Sequence, residues 1–311
     1  MRIPQTTTPA GSRPGFTLVE LMAVVLIVGV LAAILIPAAS SVSAAARTTL
    51  ERSAARGVVA GWRQWSLAHN GQLMPGQTDM ATPLPSHEAP QVWNGTEIPE
   101  IARRRWIWRL VDYLDDASSM LWVNDQEAFH NNAIAHAANP ADGVYLATLH
   151  PSLGLNTDFL GGRQSSACDT WALSEFIRAQ DEGAQPLYSD SLARLRRPAE
   201  LIAFASSRGP YNDSGADRII EGFWRLSPPW KPAANGAAPR WTQTADGTFQ
   251  MPDEQADPES VGGFLSPRHA DGKVVVAAPD GHVAVESFEA LGSMRRWSDD
   301  ATGPQWAPSL P

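Results

Sequence analysis

The chain has a single cysteine, Cys168, so it has no internal disulfide framework and no zinc site built on several thiolates. Lysine is almost missing: only Lys231 and Lys273 occur, and Arg carries the rest of the positive charge. Positive charge is itself in deficit, with 24 Lys and Arg against 33 Asp and Glu and a net charge of −9 over 311 residues. An acidic chain lacks the clustered cations that grip a phosphate backbone, so nucleic acid is not an expected partner. Also absent are a Gly-x-Ser-x-Gly elbow, a His-Glu-x-x-His pair, a phosphate loop and a dinucleotide fingerprint, which leaves no familiar catalytic machinery. Cys168 lies beside Asp169 in a Ser-rich stretch, and nothing near it in sequence argues for an activated thiol. By contrast, 43% apolar residues exclude a disordered polyelectrolyte, and 12 Trp with 25 Pro indicate a loop-rich domain that buries indoles.

The first 15 residues, MRIPQTTTPAGSRPG, hold Arg2 and Arg13 and no acid. Residues 16–39, FTLVELMAVVLIVGVLAAILIPAA, form an apolar run of 24 with one charge, Glu20. About 20 helical residues cross the hydrocarbon core, so this run is long enough to span a bilayer once. It exceeds the apolar region of about 7 to 15 residues in a secretory signal, and Ile36-Pro37-Ala38-Ala39 is a poor cleavage site. Basic residues precede the span, which places residues 1–15 in the cytoplasm and exports the chain beyond about residue 40. Glu20 is the anomaly, because a carboxylate within a lipid-facing helix costs about 2.5 to 3.5 kcal/mol on insertion scales. Either it snorkels to the membrane edge, or it has a cationic partner. Cleavage after Gly15 would create an α-ammonium on Phe16, one helical turn from Glu20, and a carboxylate of one copy would neutralise the amine of the next.

The segment Gly15-Phe16-Thr17-Leu18-Val19-Glu20 resembles the processing site of type IV prepilins and type II secretion pseudopilins. That resemblance implies cleavage after Gly15 by a prepilin peptidase that also N-methylates Phe16. It further implies assembly guided by Glu20, with other pilin or pseudopilin subunits and an inner-membrane assembly platform as partners. Pro37 matches the position where many members carry a helix-breaking proline. Physically it removes one helix hydrogen bond, and is either a place for the helix to bend or a kink tolerated near the end of the span.

The fold expected is α+β: a long N-terminal helix packed on a small antiparallel sheet. The domain plan is a leader (1–15), an assembly helix (16–39), its amphipathic continuation (40–70) and an exported head (71–311). In the continuation, Leu50, Ala54, Val58, Trp62, Trp65 and Ala68 form an apolar stripe, Arg47, Glu51, Arg52, Arg56 and Arg63 take the other faces, and Asn70-Gly71 is the stop. Residues 101–115 read as a second helix whose Arg103, Arg104 and Arg105 form either an anionic-lipid patch or, as preferred, a solvated face paired with Asp112, Asp115 and Asp116. Residues 143–162 read as short apolar runs with turns, 200–205 as a buried strand and 228–260 as a long surface loop. A hairpin spans 273–287 around Pro279-Asp280-Gly281, with a short closing helix after it.

His269 and Asp280-Gly281-His282-Val283 resemble a C-terminal signature of a pilin-like group abundant in planctomycete and verrucomicrobial-type bacteria, although ten residues rather than nine separate His269 from Asp280. His269, Asp271, Asp280 and His282 are candidate ligands for a divalent metal, and two His with two Asp suit a transition metal better than calcium. The simpler expectation is that they shape the hairpin and that the protein needs no cofactor. A last alternative is a glycan-binding platform on exposed Trp93, Trp230 and Trp241; core burial of these indoles is the expectation set against it.

Overall fold

The structure is a computed structural model that describes residues 17–78, 84, 88–137, 139–162, 188–213, 216–233, 236–253 and 255–307. The chain is α+β and divides into two compact units, residues 1–46 and 47–311. Helix α1, Leu18–Ala68, supplies the first unit and enters the second. In the second unit come β1 (Val92–Trp93), β2 (Thr96–Glu97), α2 (Glu100–Arg103), α3 (Trp106–Leu110), α4 (Ala117–Leu121), α5 (Asp125–His136) and α6 (Pro140–Leu149). Then come β3 (Leu153–Asn156), β4 (Phe204–Ser206), β5 (Arg208–Asp213), β6 (Ala216–Glu221) and β7 (Arg225–Leu226). Last are β8 (Trp230–Ala233), β9 (Gly236–Pro239), β10 (Lys273–Ala277) and β11 (Val283–Ser287).

From residue 47 onward α1 is amphipathic. Ala54, Ala55, Val58, Val59, Trp62 and Trp65 recur at helical spacing and are buried, whereas Leu50 and Ala68 at the two ends of the expected stripe are exposed. Gly57 and Gly61 let neighbours come close: a Cβ on Gly57 would lie 2.5 Å from the Met120 sulfur, and one on Gly61 2.8 Å from the Tyr113 carbonyl oxygen. The helix ends as its sequence predicts. Asn70 and Gly71 adopt positive φ, and the Gly71 N–H donates to the Ser66 carbonyl at 2.8 Å.

The core sheet runs β11-β10-β4-β3-β7. All its pairings are antiparallel except β3–β7, so the sheet is mixed rather than purely antiparallel. A single reversal, the β5–β6 hairpin, separates β4 from β7, and β7 therefore meets β3 in the same direction. Phe204 on the central strand receives Trp62 edge-on at 6.0 Å and Trp106 at 5.1 Å, which seats the helix and the 100–110 segment on one sheet face. The C-terminal hairpin forms over the expected residues, with Lys273 opposite Ser287 and Ala277 opposite Val283.

Several sequence expectations need correction. Residues 101–115 do not form one helix: the chain breaks at Arg104 and Arg105 and resumes as α3, which is buried all round. The three arginines are not a solvated face. Arg104 and Arg105 are buried, Arg105 lies over the rings of Tyr145 and Trp224 at 5.0 and 5.3 Å, and Arg104 pairs with Glu100 at 2.6 Å. Arg109 behaves likewise, over Trp65 at 5.1 Å, and burial lowers its pKa to about 10 against the opposing charge of Glu88. Residues 143–162 contain most of α6 and all of β3, because Asn139 caps α6 through the Ala141 N–H and Pro140 starts it. The strand expected at 200–205 is shorter, Phe204–Ser206, although its approach is equally buried. Residues 228–260 hold the β8–β9 hairpin, and the closing helix is two short 3-10 turns, Glu289–Gly292 and Met294–Arg296. Cys168 lies outside the described residues.

Glu51 is the largest departure. The sequence places it on a solvent face, four residues from Arg47, yet it is fully buried, and Arg47 pairs instead with Asp125 at 2.8 Å. Arg268 donates to both Glu51 oxygens, at 2.8 and 2.9 Å, and also to Glu221 at 2.6 Å and to the carbonyls of Ser152 and Ser207. Ser206 Oγ donates to Glu51 at 2.5 Å, and His269 Nε2 lies 3.2 Å from it. Burial alone would raise the Glu51 carboxyl, but the Arg268 charge, helped by the His269 ring, outweighs it and holds the pKa at about 2.

A folded-state pKa below the unfolded value of 4.5 gives stability that is present above about pH 4.5 and lost as pH falls toward 2. That shift corresponds to roughly 3 kcal/mol. Urea unfolding of the full chain in detergent, followed by Trp fluorescence, should show Glu51→Gln destabilised by that order at pH 7. The gap to the unsubstituted chain should close between pH 4.5 and 2. A gap that stays constant over this range would show that Glu51 is not ionised in the fold.

Candidate functional site

Helix α1 begins with a reciprocal cap. Thr17 precedes the first helical residue, and its carbonyl accepts from the Leu21 N–H at 3.1 Å. Glu20 accepts from the Thr17 N–H at 2.9 Å and from the Thr17 hydroxyl at 2.7 Å, while the Glu20 N–H donates back to that hydroxyl at 3.3 Å. This is the capping box that a Thr-x-x-Glu spacing encodes, with the carboxylate at the positive end of the helix dipole. The spacing is visible in the sequence, where the charge of Glu20 overshadows Thr17. Gly15 and Phe16 lie outside the described residues.

Behind the cap, the apolar side chains from Leu18 to Ile36 are exposed, with Leu18 and Val19 both at 74%. An 18-residue window of this stretch is apolar enough to cross a membrane, and among the described residues none of that window is buried. An uncovered apolar surface of this length is an interaction surface. Helix α1 continues through Pro37 without interruption. Residues 12–36 match the family model described as the prokaryotic N-terminal methylation motif. The chain carries a prepilin-type N-terminus. This prepilin-type match supports the pilin and pseudopilin family, processing by a prepilin peptidase and assembly with other pilin subunits, and indicates a structural pilin-type subunit. It also agrees with anchoring in a membrane through α1. No curated protein matches the chain, and no solved structure does.

The four candidate metal ligands of this prepilin-type chain are not gathered. His269 is buried, with Nδ1 3.0 Å from the Thr48 hydroxyl and Nε2 beside Glu51. Asp271 is exposed in the left-handed region (φ 60°), 3.7 Å from Lys273 Nζ. Asp280 and His282 belong to the opposite end of the hairpin. There Asp280 Oδ1 accepts the His282 N–H at 2.8 Å, and the Asp280 carbonyl accepts from Arg63 at 2.6 Å. Five residues of β10 stand between the two ends, roughly 16 Å of strand. Among the described residues no three His, Cys, Asp or Glu side chains are grouped as metal ligands. The aromatic platform is not formed either: Trp230 and Trp241 are buried, and Trp93 packs 5.3 Å from Trp108.

With these side chains at separate ends of the hairpin, EDTA should leave the melting temperature of the full chain in detergent unchanged. A drop of several degrees, reversed by added zinc or calcium, would show that hairpin residues hold a metal after all.

Proposed function

We propose that the chain is a non-enzymatic subunit of a type II secretion pseudopilus, cleaved after Gly15, N-methylated on Phe16 and anchored by residues 16–39 in the inner membrane. On this reading the N-terminus faces the cytoplasm and the globular unit faces the periplasm. The observation that supports it is the methylation motif at residues 12–36, which takes in the exposed apolar start of α1 with its one carboxylate. Glu20 is the assembly residue. In a lone subunit the Thr17 N–H and hydroxyl both donate to one of its oxygens, Oε2, and in the assembled filament the Phe16 ammonium of a neighbouring copy takes over the carboxylate. The exchange trades neutral donors for a charge-assisted bond, which is roughly twice as strong in a site without water. The exported part beyond α1 is large for a repeating subunit, which suits a minor or tip position. The net charge of −9 disfavours a DNA-uptake pilus.

Mass spectrometry of protein from its native membrane should find a mature chain that starts at N-methylated Phe16, and an uncut Met1 start in cells without prepilin peptidase. Glu20→Ala should still insert and be cut, but its crosslinking to sister subunits should fall at least about tenfold, in line with the loss of a buried charge pair. Deletion of the gene should block export of a secreted enzyme and leave surface pili in place. Loss of pili with normal secretion would move the chain to a type IV pilus.

A further inference from the structure

The β5–β6 hairpin has an open edge along β6, because its sheet has only two strands. In an antiparallel pair, residues that exchange backbone bonds with the partner strand alternate with residues whose N–H and C=O point away from it. Three observations fix the phase of that alternation. The Gly222 N–H donates to the Ser207 carbonyl at 2.6 Å, so these two residues are bonded across the hairpin. At the next pair, Arg208 opposite Glu221, the Arg208 N–H turns away and donates to the Phe264 carbonyl at 2.8 Å, while the Glu221 carbonyl accepts from the Gln126 side chain of α5. Two residues further on, Pro210 stands opposite Ile219, and a proline has no N–H to give. Ile219 therefore directs its N–H and C=O outward from the hairpin, and among the described residues no other segment pairs with them.

The same edge borders a cleft of about 1030 Å³, larger than the range of about 300 to 1,000 Å³ usual for small-ligand sites. Arg218, Ile219, Ile220 and Glu221 all line it. Successive strand residues point to opposite faces, so four in a row share one cleft along the strand edge rather than on a face. Arg218 is exposed, and Ile219 and Ile220 are half-buried, which leaves this edge within reach of solution. The charge of the lining is the reverse of the chain's: Arg208, Arg218 and Arg268 stand against Glu221 and Asp253, in a chain of net charge −9. Glu221 is matched by Arg268 at 2.6 Å, whereas Arg208 bonds to the carbonyls of Asp253 and Ala256 and makes no ion pair among the described residues.

We propose that the outer edge of β6 receives an extended, acidic segment of a partner protein as a third, antiparallel strand. Main-chain bonds to Ile219 supply the affinity, and the side chains on either side of it supply the choice of sequence. An acidic residue lies opposite Arg218, in the positive cleft, and an apolar one opposite Ile220. A second copy of β6 does not suit this edge. Antiparallel self-pairing centred on Ile219 sets Asp217 opposite Glu221, and the registers displaced from it that leave Glu221 to Gln126 set Arg218 opposite Arg218 or Asp217 opposite Asp217. Like charges directly opposite are destabilising, so the occupant is a different chain. The proposal does not depend on assembly at the N-terminus; it gives the globular unit a recognition edge of its own.

The test is fluorescence anisotropy of labelled, end-capped peptides titrated with the full chain in detergent. The probes are Ser-X-Thr-Glu-Thr with Val, Ile or Phe at X, which sets X opposite Ile220 and Glu opposite Arg218. At least one should saturate below about 1 mM. An N-methyl group on the Thr opposite Ile219 should weaken binding about fivefold, the effect of one lost backbone bond. Ile219→Pro should do the same from the protein side, and because the Ile219 N–H points away from β5 it should keep the melting temperature. If that variant does not fold, the N-methyl peptide makes the same test on the unsubstituted chain. Arg218→Glu should reverse the preference, so that a peptide with Lys in place of Glu binds better. The proposal is overturned if no Glu peptide saturates, if the N-methyl peptide binds as tightly as its parent, if a folded Ile219→Pro chain binds as tightly as the unsubstituted one, or if Arg218→Glu still prefers the Glu peptide.

Discussion

The globular unit depends on one buried charge contact, between Glu51 on α1 and Arg268 before β10. An isolated carboxylate in that position would be prohibitively costly to bury, and so would the guanidinium. Each is acceptable because the other is there and because the remaining donors and acceptors are used. Arg268 also bonds Glu221 and two backbone carbonyls, and Glu51 also accepts from Ser206. The contact joins four places far apart in sequence: α1, the start of β3 (through the Ser152 carbonyl), the β4–β5 junction and the end of β6. Such a network is weak evidence of net stability, since well-packed apolar side chains often do as well. Its strength is directional. A helix rotated by one residue would take the buried Glu51 carboxylate away from Arg268, which would keep only Glu221, so the pair fixes which face of α1 meets the sheet.

The same logic governs the other buried cations. Arg105 and Arg109 lie across aromatic rings, Arg109 with Glu88 3.5 Å away as well, and Arg225 lies 4.7 Å from the Phe264 ring and 3.6 Å from Glu259. Arg is suited to this because its planar, weakly hydrated guanidinium stacks on rings while its edge still donates. Lys, a strongly hydrated point charge, would incur a larger cost in the same places.

How much of the fold is legible in the sequence depends on how local each signal is. The apolar run at 16–39, the stop at Asn70-Gly71 and the turn at Pro279-Asp280-Gly281 are set by neighbours within a few residues, and these features appear where they are expected among the described residues. Glu51 and Arg104 mislead for the opposite reason. Charge at a helical position suggests solvent unless the partner is known, and the partner of Glu51 is 217 residues away. The β8–β9 hairpin is hidden because Pro, Gly and Ala carry no β-pattern, although the sheet pairing itself needs only the backbone. The Asn139-Pro140 helix start is legible in principle, as a cap with a proline at the first turn, but α6 is apolar on several sides and shows no clear stripe. At the N-terminus the charge of Glu20 stands out as an anomaly, while Thr17, three residues away and part of the same capping box, gives no signal of its own.

The Thr17 cap bears on how a membrane subunit can carry a carboxylate before it has a partner. An uncompensated Glu at that depth would disfavour insertion by about 2.5 to 3.5 kcal/mol. The two bonds from Thr17 offset part of that cost within the lone chain, at the helix end where the dipole also favours negative charge. They are short-range and neutral, so they do not compete strongly with an ammonium. On the proposed function this makes the capping box a holding arrangement. It is favourable enough to let the subunit wait in the membrane, and weak enough to yield when the apolar surface from Leu18 to Ile36 leaves lipid for the helices of its neighbours. Removing the Thr17 hydroxyl and removing the Glu20 carboxylate should therefore act on different steps, the first on the stability of the waiting subunit and the second on its capture by the filament.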